Sequence, residues 1–333
     1  MRCAACCALL NRTARIVRRR RPAAAQGAAL LLACALGGCA ADTVSATGIQ
    51  TESEVQTVYA VGDIARCTHP DPRWSGAFDT AAVVTAGLAA DPNAVVLTLG
   101  DHTYPHGTAA EFANCYGPTW GRFKERTWPA PGNHEYHMQG AAPYFAYFGA
   151  RAGRGYYSLR LGSWRIYSLD SNLAGAAQAR QLAWLKVELA QDKASAAGAG
   201  TPPCTLAFWH HPLYSSGGHG SVATMRAAWA LLQGAGAELV LSGHDHDYER
   251  FAPQDAEGRL DPRGLRQFVV GTGGAYPTPF LMPLAHSETR DASRNGVLRL
   301  RLHAGRYDWE FLEATPPQLP NASPPDHGSG VCH

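Results

Sequence analysis

The tightest constraint on this chain is a recurring pairing of a short apolar run with an abrupt polar turn. Val58-Tyr59-Ala60-Val61 stops at Gly62-Asp63, and Ala94 to Leu99 stops at Gly100-Asp101-His102-Thr103-Tyr104. Thr205 to Trp209 ends at His210-His211-Pro212, and Glu238 to Leu241 runs out at Ser242-Gly243-His244-Asp245-His246. Apolar runs cut off by turn residues read as buried strands, and open α/β sheets gather their binding loops at the C-terminal ends of such strands. A further turn, Gly132-Asn133-His134-Glu135, carries the same kind of side chains.

Helical patterns alternate with these strands. Asp79 to Ala90 has helical spacing, with Asp79 as cap and Asp91-Pro92 as stop. Ala176 to Asp192 places Leu182, Leu185 and Leu189 on one face, and Val222 to Gly234 reads as another helix. Tyr156 to Ser171 is a hairpin around Gly162-Ser163, and Gly296 to Glu313 is one turning at Ala304-Gly305. Gln267 to Val270 leads into Gly271-Thr272-Gly273-Gly274, which lacks the Lys of a phosphate-binding loop and reads as a tight turn. The organisation is one α/β domain over residues 57–314, after a polar tether (39–56) and before a flexible C-terminal tail (315–333).

Residues 1–38 read as a signal segment. Arg18 to Arg21 form a basic block, and Ala23 to Leu36 is an apolar run too short to span a bilayer. It ends in Leu36-Gly37-Gly38-Cys39, which resembles a bacterial lipobox, with Cys39 as the lipid-bearing residue; the alternative is simple cleavage near Ala40 or Ala41. Either way the expectation is export, to the periplasm or as a lipid-anchored outer-membrane protein. Seven of the 29 basic residues and none of the 27 acidic ones fall in this segment, so 22 basic face 27 acidic residues beyond it. No basic stripe suits nucleic acid. Cys67, Cys115, Cys204 and Cys332 remain after export, which favours disulfides with three conceivable pairings. Cys67 and Cys115 follow turns at the same end of neighbouring strands, so the expected pairs are Cys67–Cys115 and Cys204–Cys332.

Among the side chains of the turns, two carboxylates, a phenol, an amide and three imidazoles make up a ligand set for two metal ions. Two metals clamp a phosphoryl group when one ligand bridges them, and a carboxylate does so well. Asp101 is the natural bridge and Asp63 a terminal ligand. His244 and His246 alternate along an extended segment, so each can serve a different metal. Asn133 offers a neutral oxygen, which leaves His134 free for the substrate. Tyr104 reaches the metal of Asp101, as phenolate on a trivalent cation, or else packs beside two divalent ions. His102 and His211 read as ordinary loop histidines.

The set as a whole resembles the calcineurin-like metallophosphoesterases. Gly-Asp-x-x-Tyr at Gly100 to Tyr104, His-x-Pro-x-Tyr-Ser from His210 followed by His219, and Gly-His-x-His-x-Tyr-Glu-Arg ending at Arg250 narrow this to the purple acid phosphatase group. The resemblance implies a four-layer αββα sandwich of two mixed sheets flanked by helices. It implies Fe(III) beside a divalent metal (Fe, Zn or Mn), with Asp63, Tyr104 and His246 on the iron. Asn133, His210 and His244 take the divalent ion, Asp101 bridges, and His134 and His219 face the substrate. One departure is Asp63-Ile64-Ala65 where the family has Asp-x-Gly, for which a small local shift is expected.

The implied function is hydrolysis of phosphorylated small molecules, an acid phosphatase acting on monoesters through a metal-bridging hydroxide, with His134 or His219 protonating the leaving group. A phosphodiesterase or nucleotidase on the same scaffold is the first alternative, and a non-catalytic surface-binding lipoprotein the second. The intact ligand set argues against the last.

Overall fold

A computed structural model describes residues 55–196, 203–315 and 325–333. The signal segment, Cys39 and the tether up to residue 54 lie outside them. Two mixed sheets carry the fold. The first runs, in spatial order, His327–Val331, Arg306–Glu313, Gly296–His303, Gln56–Val61, Val95–Leu99 and Thr127–Ala130. The second runs Ser287–Asp291, Tyr248–Phe251, Arg266–Val270, Leu239–Ser242, Thr205–Phe208, Trp164–Ser168 and Tyr157–Leu161.

Side-chain alternation along the strands builds the layers. Leu206, Phe208, Leu239 and Leu241 join a core shared with Val58, Val96 and Leu298 of the first sheet. Their strand neighbours Ala207, Trp209 and Val240 belong to a second core with Leu185 and Leu189 of helix Gly175–Ala196 and Trp229 and Leu232 of helix Arg226–Gly234. Helix Ala77–Ala90 buries Ala77, Ala81, Val84 and Leu88 against the first sheet. Gly87 allows that approach, since a Cβ there would lie 2.2 Å from the Tyr59 hydroxyl. The result is the expected αββα sandwich. Trp209 and Trp229 are fully buried, so truncating either to Ala costs about 3–5 kcal/mol.

The parallel strands of both sheets end at one common edge. Gln56–Val61 pairs in parallel with Val95–Leu99, which pairs in parallel with Thr127–Ala130. Trp164–Ser168, Thr205–Phe208, Leu239–Ser242 and Arg266–Val270 are parallel neighbours in the second sheet. Their C-terminal ends meet, because the Gly62 N–H donates to Val270 O at 2.9 Å across the two sheets.

The flexible tail is corrected at its end. Residues 327–331 form an edge strand antiparallel to Arg306–Glu310, and the next residue, Cys332, is bonded to Cys204. Asp326 anchors the segment by accepting from Tyr248 Oη, Arg250 Nε and Trp309 Nε1 at 2.7–2.9 Å. The segment His-Gly-Ser-Gly-Val has no apolar pattern; pairing, the disulfide and one carboxylate hold it. The other two cysteines, Cys67 and Cys115, are bonded to each other.

Replacing Cys204 and Cys332 by Ser should cost about 3–5 kcal/mol, because the bridge closes a loop spanning 128 positions. Urea unfolding of the double variant measures this. An unchanged midpoint would show that pairing and Asp326 alone hold the segment.

Candidate metal centre

Each turn leaves its strand at the same edge of the sandwich, and backbone bonds stitch the turns together. Asp63, Ile64 and Ala65 donate to the carbonyls of Gly100, Asp101 and His102 at 2.9–3.1 Å, and Gly243 donates to His210 O at 3.0 Å. Asp63, Asp101 and His244 adopt left-handed backbone, with φ of 61°, 49° and 76°. Such conformations cost about 1–3 kcal/mol each and persist where the surroundings over-determine them. The departure at Ala65 is harmless: the strain sits at Asp63, while Ala65 pairs with Thr103 in a short parallel ladder.

The side chains converge in two groups. Tyr104 Oη lies 2.7 Å from Asp63 Oδ1, 3.1 Å from Asp101 Oδ2 and 3.0 Å from His246 Nε2. His210 Nε2 lies 3.0 Å from Asn133 Oδ1, 3.3 Å from Asp101 Oδ2 and 3.3 Å from His244 Nδ1. Asp101 Oδ2 belongs to both groups. All seven residues expected as ligands are therefore together, in the two sets the resemblance implies.

The chemistry of this donor set fits cations. Tyr104 has one proton to offer among three acceptors. His210 Nδ1 bonds Leu99 O at 2.8 Å and His246 Nδ1 bonds Tyr276 O at 2.7 Å. A carbonyl only accepts, so each Nδ1 carries a proton and each Nε2 is the nitrogen left to give a lone pair to a cation, as in metal-binding imidazoles. Asp63, Asp101 and His210 are fully or almost fully buried. Buried lone pairs and carboxylates facing one another call for positive charge between them.

Electrostatics of the chain alone reflect the same crowding. Burial opposes a charge on His210, but Asp101 and Asp63 outweigh it and hold its pKa up at about 10. Burial also opposes a charge on Asp101, yet His210 and His134 bring its carboxyl below the usual range. His244 is pushed down to about 2 by burial, then by His210 and His211, which keeps it a neutral donor. Burial and the two carboxylates raise Tyr104 well above a free phenol. A trivalent cation on its oxygen would reverse that preference.

The two substrate-facing histidines sit at the rim. His134 Nδ1 bonds Pro105 O at 2.7 Å, and Nε2 lies 3.8 Å from Asp101 Oδ2. His219 is half-exposed, with its ring 4.8 Å from that of His244 and 5.6 Å from that of His246. Asp245 holds it, accepting from the His219 N–H at 2.7 Å and lying 3.3 Å from Nδ1. That carboxylate raises the His219 pKa against partial burial.

Several functional positions escape a reading of the sequence. Glu135 is fully buried and accepts from the backbone N–H of Asp101, His102 and Gly132 at 2.7–3.0 Å, tying two turns together. Its place in the Asn133-His134 segment was a signal, but its role is visible only in three dimensions. His102 bonds Thr98 Oγ1 at 2.7 Å among Phe112, Tyr116, Tyr144 and Phe148, and is a packing residue. His211, read as an ordinary loop histidine, packs 4.4 Å from the His244 ring.

Glu135→Ala would leave three buried N–H groups without an acceptor, each costing about 1–3 kcal/mol. The expected loss is about 3–5 kcal/mol of stability with weaker metal retention. Denaturant unfolding and metal analysis check it; wild-type stability with full metal content would reject the positioning role.

Comparison with known proteins agrees with the geometry. The family model for calcineurin-like phosphoesterases matches residues 56–248. Over 217 residues the chain is 30% identical to Purple acid phosphatase 15 of Arabidopsis thaliana, covering 54% of this chain and 40% of that protein. It therefore spans less than half the length of this curated relative. A purple acid phosphatase from yellow lupin (Lupinus luteus) seeds superposes with a TM-score of 0.64 at 19% identity, over 84% of this chain and 54% of that one. GAP50, described as the anchor in the inner membrane complex of Plasmodium, superposes at 0.58 with 12% identity, over 79% and 86% of the two chains. At such identities the likeness is one of fold, and function has to be argued from the site.

Proposed function

Because the chain belongs to the calcineurin-like phosphoesterase family, we propose that it is a binuclear phosphomonoesterase of the purple acid phosphatase type. The observation that carries this is the position of Asp101 Oδ2, common to both donor groups at 3.1 and 3.3 Å. A site for one ion needs no such shared oxygen.

In this reading Asp63, Tyr104 and His246 would hold Fe(III), and Asn133, His210 and His244 would hold a divalent ion (Fe, Zn or Mn). Two bound cations would supply an electrophilic clamp for the phosphoryl oxygens and an activated water. The chain supplies the rest. Leu99 O and Tyr276 O fix the tautomers of His210 and His246. Burial of Asp63 and Asp101 strengthens every charge interaction in the site. Pro105 O accepts a hydrogen bond from His134 Nδ1–H, which leaves Nε2 as the nitrogen from which a proton would pass to the leaving oxygen. His219, turned by Asp245, provides a second donor on the side of His244 and His246.

The reading extends to location. Two disulfides suit an oxidising compartment, in keeping with export and with either a lipid anchor at Cys39 or simple cleavage. Phosphorylated small molecules are the expected substrates.

Asp101→Ala should lose both metals and all activity, since its carboxylate would serve both ions. His134→Ala should keep the metals and lose turnover by about 10²–10⁴-fold. Metal analysis beside a generic phosphatase assay separates the two, and equal metal loss in both variants would overturn the assignment of roles.

Tyr104 tests the purple subgroup. A phenolate on Fe(III) absorbs visible light, so the iron-loaded protein should be coloured and Tyr104→Phe should bleach it with the fold intact. A colourless wild-type protein, fully active on two divalent ions, would remove iron from the reading and leave the phosphoesterase.

A further inference from the structure

His211 follows a proposed ligand, but its surroundings are not those of a ligand. Its backbone N–H donates to Ser171 Oγ at 3.0 Å, and its Nδ1 lies 2.8 Å from the same oxygen. Ser171 is 3% exposed, and its hydroxyl proton needs an acceptor. His211 Nδ1 is the acceptor at bonding distance, so the hydroxyl donates there and the ring proton sits on Nε2. An N–H nitrogen has no lone pair for a metal; it is a hydrogen-bond donor.

The ring is held where such a donor would meet substrate. It packs 4.4 Å from the His244 ring and 4.9 Å from the His210 ring, and one of its nitrogens lies within 4.8 Å of nitrogens of both. Its carbonyl accepts from Trp209 Nε1 at 2.9 Å. Ser171 is fixed in turn, because its neighbours are tied down on both sides. Asp170 Oδ2 accepts from Tyr136 Oη at 2.5 Å, and Asn172 Nδ2 donates to Pro131 O at 3.2 Å. The strand end carrying Ser171 is thereby locked to the turn that carries Asn133.

We propose that His211 is a further substrate-contacting residue, whose Nε2–H donates to a phosphoryl oxygen of the ester beside the His210–His244 donor group. Ser171 is its positioning residue. This rests on the phosphoesterase reading and extends it to the anionic oxygens of the substrate, which would then meet imidazole donors on more than one side. Preorganised donors aimed at such oxygens contribute substantially to turnover in hydrolytic sites.

The test uses the metal-loaded protein, with inorganic phosphate as the binding probe and p-nitrophenyl phosphate as the substrate. His211→Ala should keep its metal content, bind phosphate about tenfold more weakly and lose about 10–100-fold in kcat/KM. His211→Gln, whose amide N–H reaches the Nε2 position, should recover most of both. Ser171→Ala keeps the imidazole but frees its tautomer, so a smaller loss of the same kind is expected; Ser171→Thr should restore it. Unchanged phosphate affinity and kcat/KM in His211→Ala would overturn the proposal. Loss of one metal would overturn it too, by making His211 a ligand. A wild-type protein that hydrolyses no ester, while its phosphate affinity still depends on His211, would sink the phosphoesterase reading and leave the contact standing.

Discussion

Asp101 is tied into the molecule at every polar atom that can reach a neighbour. Its N–H is held by Glu135, its Oδ1 takes the His134 N–H at 2.9 Å, and its Oδ2 stands between Tyr104 and His210. Its left-handed backbone is needed to turn the carboxylate inward just past the strand. Gly132 has to be glycine for the same reason, because a Cβ there would sit 2.1 Å from Asp101 Oδ1. The parallel pairing of Val95–Leu99 with Thr127–Ala130 brings these two turns side by side, and the other ligand-bearing turns are arranged around them.

The site gathers groups that destabilise a fold when left alone. Buried carboxylates, inward lone pairs and three residues at positive φ all cost free energy. The surrounding sandwich offsets this with two large apolar cores and two disulfides. Carbonyls then fix the directions of His210 and His246, and backbone N–H groups those of Asp63 and Asp101, as a precise two-ion site requires. A protein of similar fold is described as an anchor, so the sandwich alone does not decide function.

Most strands legible in the sequence have neighbours on both sides, while the edge strand Tyr157–Leu161 was legible through its hairpin with Trp164–Ser168. Val58–Val61, Ala94–Leu99, Thr205–Trp209 and Glu238–Leu241 match observed strands within a residue or two, because a central strand must be apolar on both faces. The strands that left no signal include three edges. Thr127–Ala130 contains Pro129, which an edge tolerates; Ser287–Asp291 is polar throughout; His327–Val331 is mostly glycine and serine. An edge needs only one partner, so its composition is less constrained. Tyr248–Phe251 was hidden for another reason, since its residues belong to a motif read for chemistry.

By itself the sequence singled out the residues that converge at the site, since scarce acids, imidazoles and a phenol placed after apolar strands have few other uses. It also carried the alternation of strands and helices in one α/β domain, through patterns that a buried strand or an amphipathic helix must obey, while the layering came from the family resemblance. The tertiary structure decided what depends on distance between remote segments: that Asp101 Oδ2 lies in both donor groups, that Glu135 joins two turns, and that Ser171 meets His211 Nδ1. Those relations join segments as far apart as Asp101 and His210, and several are made by side chains to backbone groups that no residue type announces. A pattern along the chain records what each residue must bury; only the packed sheets record what each one faces.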